Sequence, residues 1–349
     1  MYYIGLDVHQ RRCVLCILDQ NGCVVKEIRV NGHWREILEL LGNLGHPFAI
    51  CYEASCGYGP LYDALKPLAA RVVVAHPGHL RMIFRSKRKN DRVDARKLAM
   101  LMLLNEVPQV HVPRAEVRNW RGLIEFRGRL IAKRVRVKNC LRALVRGQGL
   151  QLASGKGLWS RKGLAHLAGL ELPSVVAVQR DLLLEEKKEL DGKIARVTRE
   201  LDKIAKQQPA VWLLRTIPGV GPRTAEAVVA YIDDPKRFAR NRQIGVYFGL
   251  VPCQDQSADK NRLGHITREG PATVRKLLTQ AAWQGILRSA QIKAYFERVQ
   301  HGDPKRKKIA LIATAHYLAR VMQSMLRTGE VWRHDVQSEA SARKKEQAA

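Results

Sequence analysis

Tyr2–Val30 reads YYIGLDVHQRRCVLCILDQNGCVVKEIRV. It contains three apolar runs in succession, Tyr2–Val8, Cys13–Leu18 and Cys23–Val30. Each has the length of a β-strand. Asn21-Gly22, between the second and third, is a strong hairpin signal because a tight turn there needs positive φ. The chain therefore opens as an antiparallel meander of three strands. Outward from it, Trp34–Leu44 has helical apolar spacing and Phe48–Tyr52 reads as a buried strand that delivers Glu53 at its end. Tyr58–Leu68 is again helical, and Arg71–Ala75 is a valine-rich strand. Three strands followed by alternating helices and strands is an α/β order.

That order is the one found in ribonuclease-H-like nucleases, where the first and fourth strands are neighbours and a later helix carries further acids. Asp7 and Glu53 both end apolar strands. A carboxylate has no core role there, and ligands of open α/β sheets collect at that end of the strands. The later helix falls in Arg81–Lys97, RMIFRSKRKNDRVDARK, where Asp91 and Asp94 stand among eight arginines and lysines. Spacing i, i+3 puts both carboxylates on one helical face. Acids in a basic field suit a hard divalent cation with a phosphate beside it. Arg85, Lys87, Arg88, Lys89 and Arg92 are the candidate polyanion contacts of this stretch. Asp7, Glu53, Asp91 and Asp94 would form a four-carboxylate site for magnesium, with manganese as a substitute, since oxygen-only ligands disfavour zinc. The alternative is a solvated helix with local ion pairs and ordinary strand-end acids.

The whole composition points the same way. Over 349 residues, 61 lysines and arginines face 32 acids, a formal charge of +29. Such a charge opposes compaction unless a polyanion neutralises it, so nucleic acid is the default partner. A membrane surface is the weaker fit, because no long amphipathic stretch has an aromatic apolar face. No run of 18 apolar residues reads as a spanning helix, and MYYIGLDVHQ lacks the pattern of a signal peptide. Seven scattered cysteines suggest a reducing compartment. Cys13 and Cys16 would face opposite sides of a strand, so they read as core filler rather than shared ligands.

Beyond the nuclease-like part the periodicity becomes helical. Arg114–Val145 reads as one long helix, Gly147–Gly157 as a break, and Val175–Lys206 as a second long helix. Leu183, Leu190, Val197 and Ile204 recur every seven residues with Ile194 and Leu201 between them, a heptad seam interrupted by Lys187. The seam fits either an intrachain helical hairpin or a dimer. Arg136 is a candidate nucleic-acid contact on the first helix. Thr216–Pro222, TIPGVGP, then opens a helix through about Tyr231. Its Gly219 and Gly221 could expose backbone N–H groups to a phosphate, as in a helix-hairpin-helix motif. Gly249–Gly270, GLVPCQDQSADKNRLGHITREG, reads as a polar basic loop before a helix at Ala272–Leu287. It holds Ser257 with Lys260, Arg262 and Arg268, and His265 as a possible base. A serine needs a base, a metal or charge stabilisation before it attacks a phosphate. A last helix spans Lys307–Leu326, and the polar sequence past Trp332 is expected to be disordered.

The motifs IGLDVH (Ile4–His9), YEAS with a following glycine (Tyr52–Gly57), KNDRVDA (Lys89–Ala95), IPGVGP (Ile217–Pro222) and Gly249–Gly270 stand in this order. Together they resemble the DEDD transposases of the insertion-sequence-110 group, the bridge-RNA-guided recombinases of bacterial insertion sequences. The resemblance implies a RuvC-like nuclease domain at 1–112, a helical coiled-coil connector at 113–207, a mainly helical C-terminal transposase domain at 208–331 and a tail at 332–349. It places the family's four acids on Asp7, Glu53, Asp91 and Asp94 and its serine nucleophile on Ser257. Ala258 and Cys253 depart from residues common in the family. It further implies donor and target DNA, a structured noncoding guide RNA, a dimer or tetramer as the working unit, no membrane, and a bacterial, cytoplasmic, nucleoid-associated protein. The rival readings are a metal-only resolvase and a non-enzymatic nucleic-acid-binding protein. The intact acids speak against the second.

Overall fold

The computed structural model describes residues 1–55, 57–83, 90–152, 155, 157–257 and 260–333. Its contacts divide the chain into two units, Met1–Arg118 and Asn119–Ala349.

The first unit is built on β1 (Tyr2–Val8), β2 (Cys13–Leu18), β3 (Val24–Val30), α1 (Arg35–Gly42), β4 (Phe48–Glu53), α2 (Tyr58–Leu65), β5 (Arg71–Ala75), α3 (Pro77–Ile83) and α4 (Asp91–Leu103). The sheet runs in the order β3-β2-β1-β4-β5. The first three strands are antiparallel, and β1, β4 and β5 are parallel. This is the expected meander with β1 beside β4, a ribonuclease-H-like α/β arrangement. The turn is held locally. The Asp19 carboxylate accepts from the N–H groups of Asn21 and Cys23, both at 2.9 Å, and Gly22 has φ +80°. Cys23 belongs to this turn, so β3 begins one residue later than its apolar run.

β2 is buried along its whole length, which explains the unbroken apolar run CVLCIL. Cys13, Leu15 and Ile17 share a core with Ile37 and Leu41 of α1 and Leu61 and Leu65 of α2. Val14, Cys16 and Leu18 face Ala95 and Ala99 of α4. The sheet is thus covered on both faces, with α4 lying over β1 and β2 on the face that matters for the site and Leu80 of α3 joining α4 over β4 and β5.

The second unit is mainly helical. It comprises most of α5 (Ala115–Gly147), then α6 (Arg161–Ala168), α7 (Ser174–Lys206), α8 (Pro209–Arg215), α9 (Pro222–Ile232), α10 (Gln243–Tyr247), β6 (Pro252–Ser257), β7 (Lys260–Ile266), α11 (Ala272–Arg288), α12 (Ala290–Gln300) and α13 (Lys307–Thr328). The two 33-residue helices α5 and α7 share one core: Ile124, Val137 and Leu141 cluster with Leu190, Ile194, Val197 and Leu201. Arg127 donates to Thr198 Oγ1 at 2.8 Å and Arg134 to Asp191 at 2.8 Å. The heptad seam is therefore filled from within the chain. Lys187, the residue that breaks the heptad, buries its stem and places its ammonium 2.7 Å from Asp191.

Three features differ from the sequence pattern. Gly249–Gly270 contains the antiparallel hairpin β6–β7 rather than a plain loop. Every residue of β6 is exposed, so no apolar alternation announces it. α3, α6, α8, α10 and α12 are short helices that their local sequence did not single out. α13 is long and apolar enough by length and composition to cross a membrane. In this fold it is a core helix, burying Leu311, Ala315, Leu318 and Met322.

Candidate metal centre and nucleic-acid surface

The alternation of β1 sends Ile4 and Leu6 into the core under α1 and α2, and sends Gly5 and Asp7 to the α4 face. In β4, Phe48, Ile50 and Tyr52 join the same core as Ile4, while Ala49 and Cys51 pack with Leu98 and Met102 of α4. Glu53 keeps the phase of Cys51. Leu6 pairs with Tyr52 in the parallel ladder, so Asp7 and Glu53 end adjacent strands on one face.

α4 is seated on that face by a close approach. A Cβ on Gly5 would collide with the Ala95 carbonyl and the Ala99 amide. The helix starts at Asp91 because Asn90 caps it, accepting from the Arg92 N–H at 3.1 Å. Its first turn therefore delivers both Asp91 and Asp94 over the strand ends.

Ligand atoms of Asp7, His9 and Asp91 lie within 4.8 Å of one another, the close group of its kind among the described residues. His9 Nε2 is 3.2 Å from Asp7 Oδ2 and 3.6 Å from Asp91 Oδ1. Arg12 pairs with the other Asp91 oxygen. Asp94 is 3.8 Å from Lys97. Burial pushes the Asp7 carboxyl above its ordinary value, His9 pulls it down, and Asp91 and Asp94 push it up. Carboxylates crowded in this way ask for a cation between them. Two carboxylates and one imidazole fit a divalent ion, and manganese accepts the nitrogen more readily than magnesium does.

Glu53 is exposed and lies outside the close group, as does Asp94. His9 is the residue that sequence reasoning missed as a ligand. It stands inside the IGLDVH motif, but only the turn after β1 brings its ring back toward Asp7.

The other predicted contacts are spread over both units. Ser257 is exposed at the end of β6, paired across the hairpin with Lys260. Lys260, Arg262, Arg268, Arg136 and Arg92 are exposed. Gly219 has φ +88°, and a Cβ there would collide with the backbone of Gln284 and Gly285 on α11, so it has a packing role. Gly221 caps α9 and is exposed, with open space where a Cβ would stand. Arg85, Lys87, Arg88 and Lys89 lie outside the described residues.

Residues 4–148 match a DEDD transposase model of the IS110 type, and residues 212–297 match the model of the Transposase IS116/IS110/IS902 family. Together the matches span about two thirds of the chain. The chain belongs to the IS110/IS116-type DEDD transposases. It is 27% identical over 341 residues to the transposase for insertion sequence element IS1111A of Coxiella burnetii, covering 95% of this chain and 91% of that relative. It is 27% identical to a probable family 20 transposase of Pseudomonas aeruginosa, over 68% of this chain and 72% of that one. It is 25% identical to the transposase for insertion sequence element IS1328 of Yersinia enterocolitica, over 82% and 86% of the two chains. In this transposase the first match contains the whole carboxylate site, and the second contains Ser257.

Proposed function

We propose that this bacterial DNA transposase cuts and transfers strands at the site on the α4 face of its sheet. Asp7, Asp91 and His9 would hold a divalent cation there, with Glu53 and Asp94 completing the acid set. The convergence of the first three within 4.8 Å is the observation that carries this reading. A divalent ion at such a site polarises a phosphoryl oxygen and lowers the pKa of a bound water. The chain's own part is orientation. β1 and α4 fix Asp7 and Asp91, Lys97 steadies Asp94, and the His9 Nε2 atom bridges the two aspartates. Titrating Mn2+ against the full-length protein, followed by electron paramagnetic resonance, tests the site. Asp91→Asn should weaken Mn2+ binding sharply, and unchanged binding would remove the ion from the account.

A second reading draws on the exposure of Ser257 in a basic hairpin, and on the resemblance. In it, Ser257 Oγ attacks the scissile phosphorus and its proton passes to the departing 3′ oxygen. The new bond is a phosphoserine link and the bond broken is P–O3′. The 3′ hydroxyl of the partner strand then reverses the step, so strands are exchanged without net hydrolysis. This reading includes a structured noncoding guide RNA that pairs with donor and target DNA, and a dimer or tetramer as the working unit. The charge of +29 suits two nucleic acids held at once. Sequencing the RNA that copurifies with the transposase tests the guide.

A further inference from the structure

Asp7, Val14 and Arg29 form one row across the sheet. Asp7 pairs with Val14 on β2, and Val14 pairs with Arg29 on β3. Directly paired residues share a face, so Arg29 projects on the same side as Asp7, roughly 10 Å away at two strand spacings. Arg12 keeps the phase of Val14 and joins this face just before β2 begins. Arg92 comes down from the first turn of α4. Arg12, Arg29, Arg92, Asn90 and Asp91 line an open cavity of about 460 Å³ floored by Val14. Three guanidinium groups thus ring a polar hollow that has one acid, Asp91, on its wall, and Arg12 is paired with that acid. The Arg12 Nε atom is buried and makes no hydrogen bond. Cationic walls of this kind are out of proportion to the single carboxylate they enclose.

We propose that this cavity is a backbone-phosphate site, which holds a nucleic-acid strand on the β2–β3 side of the carboxylate centre. Arg29 and Arg92 are its fixed donors. Arg12 is shared: it neutralises Asp91 when no cation is bound, and turns to the phosphate when a cation takes its place. Guanidinium forks match phosphate oxygens bidentately, which suits this task better than lysine would. The distance from Asp7 to Arg29 corresponds to roughly three nucleotide steps of duplex rise, so the strand would leave the cleavage point across β1, β2 and β3. The inference rests on the carboxylate reading given above for the role of Arg12, and on the cavity alone for Arg29.

The test uses the full-length protein and a short fluorescein-labelled single-stranded DNA, with anisotropy followed across a salt series. Arg12→Ala and Arg29→Ala should each weaken binding several-fold and lower the salt slope by about 1. Arg29→Lys should keep most of the slope, which guards against a folding defect. Lys26→Ala is the control: Lys26 lies on β3 in phase with Ile28 and Val30, which pack on the opposite face. Mn2+ binding without DNA supplies the second readout. Arg12→Ala should tighten it, because the competing guanidinium is gone, so one substitution moves two affinities in opposite directions. Slopes for Arg12→Ala and Arg29→Ala equal to that of Lys26→Ala overturn the phosphate site. Failure of the carboxylate reading looks different: Asp91→Asn then binds Mn2+ like wild type, while the Arg29→Ala slope still decides the cavity.

Discussion

Gly5 on β1 lies directly beneath Ala95 on α4, its Cα turned toward that residue's carbonyl with no space for a side chain. This contact sets how low α4 rides on the sheet, and so how near Asp91 comes to Asp7. Gly5→Ala should force the helix off the strand. Overpacking of this kind costs about 1–3 kcal/mol or more. Urea unfolding should show that loss, and Mn2+ affinity should fall with it although no ligand has been changed.

Asp7→Asn and Asp91→Asn should abolish DNA cleavage while leaving DNA binding largely intact. Removing a partner that merely supports a metal ligand costs roughly 10–100-fold, so loss of a ligand itself should exceed that. His9→Ala should fall between these values and wild type. Cleavage rates in Mg2+ and Mn2+, with EDTA as the control, give the comparison. Full activity in excess EDTA would contradict the whole set.

Ser257→Ala should keep nucleic-acid binding. The side chain carries no charge, and its strand pairs with Lys260 through the backbone. Denaturing electrophoresis of wild type with donor and target DNA then reads the chemistry. A protein–DNA adduct that disappears in the variant together with recombination establishes the serine course. Cleavage at the wild-type rate in the variant establishes the acids as sufficient.

Glu226 on α9 gives the second unit a pH dependence of its own. It is 1% exposed, and its Oε1 lies 3.1 Å from Arg223 Nη1. Burial pushes its carboxyl up from the ordinary 4.5 to about 7, although Arg223 and Arg127 pull it down. A folded value above the unfolded one means stability that is fully present below 4.5 and lost as pH rises through about 7. The size is ~3 kcal/mol at one pKa unit per ~1.4 kcal/mol. Urea midpoints at acid and alkaline pH should separate in wild type and converge in Glu226→Gln.

DNA affinity should fall steeply with salt, because each neutralised phosphate releases counterions. Arg136→Ala should weaken binding modestly and without regard to sequence. A flat response between ~50 and ~200 mM salt would contradict a phosphate-dominated interface.

Local sequence determined much of this transposase. The unbroken run of β2, the Asn21-Gly22 turn and the strand-end acids Asp7 and Glu53 are each encoded by a few neighbouring residues. So are the Asn90 cap and the i, i+3 acids of α4, because strand and helix periodicities and turn chemistry are short-range properties. The long apolar spacings of α5 and α7 were legible for the same reason. Tertiary structure decided the rest. Whether the α7 seam pairs within the chain or outside it depends on what lies opposite, and Ile124, Val137 and Leu141 of α5 fill that place. Every residue of β6 is exposed, so that strand carries no apolar alternation to read. His9 joins Asp7 and Asp91 only because the turn after β1 returns its ring to the strand end, and Arg29 shares their face only through a cross-strand register. Register and helix approach are set by contacts between residues far apart in the chain, which no local pattern records.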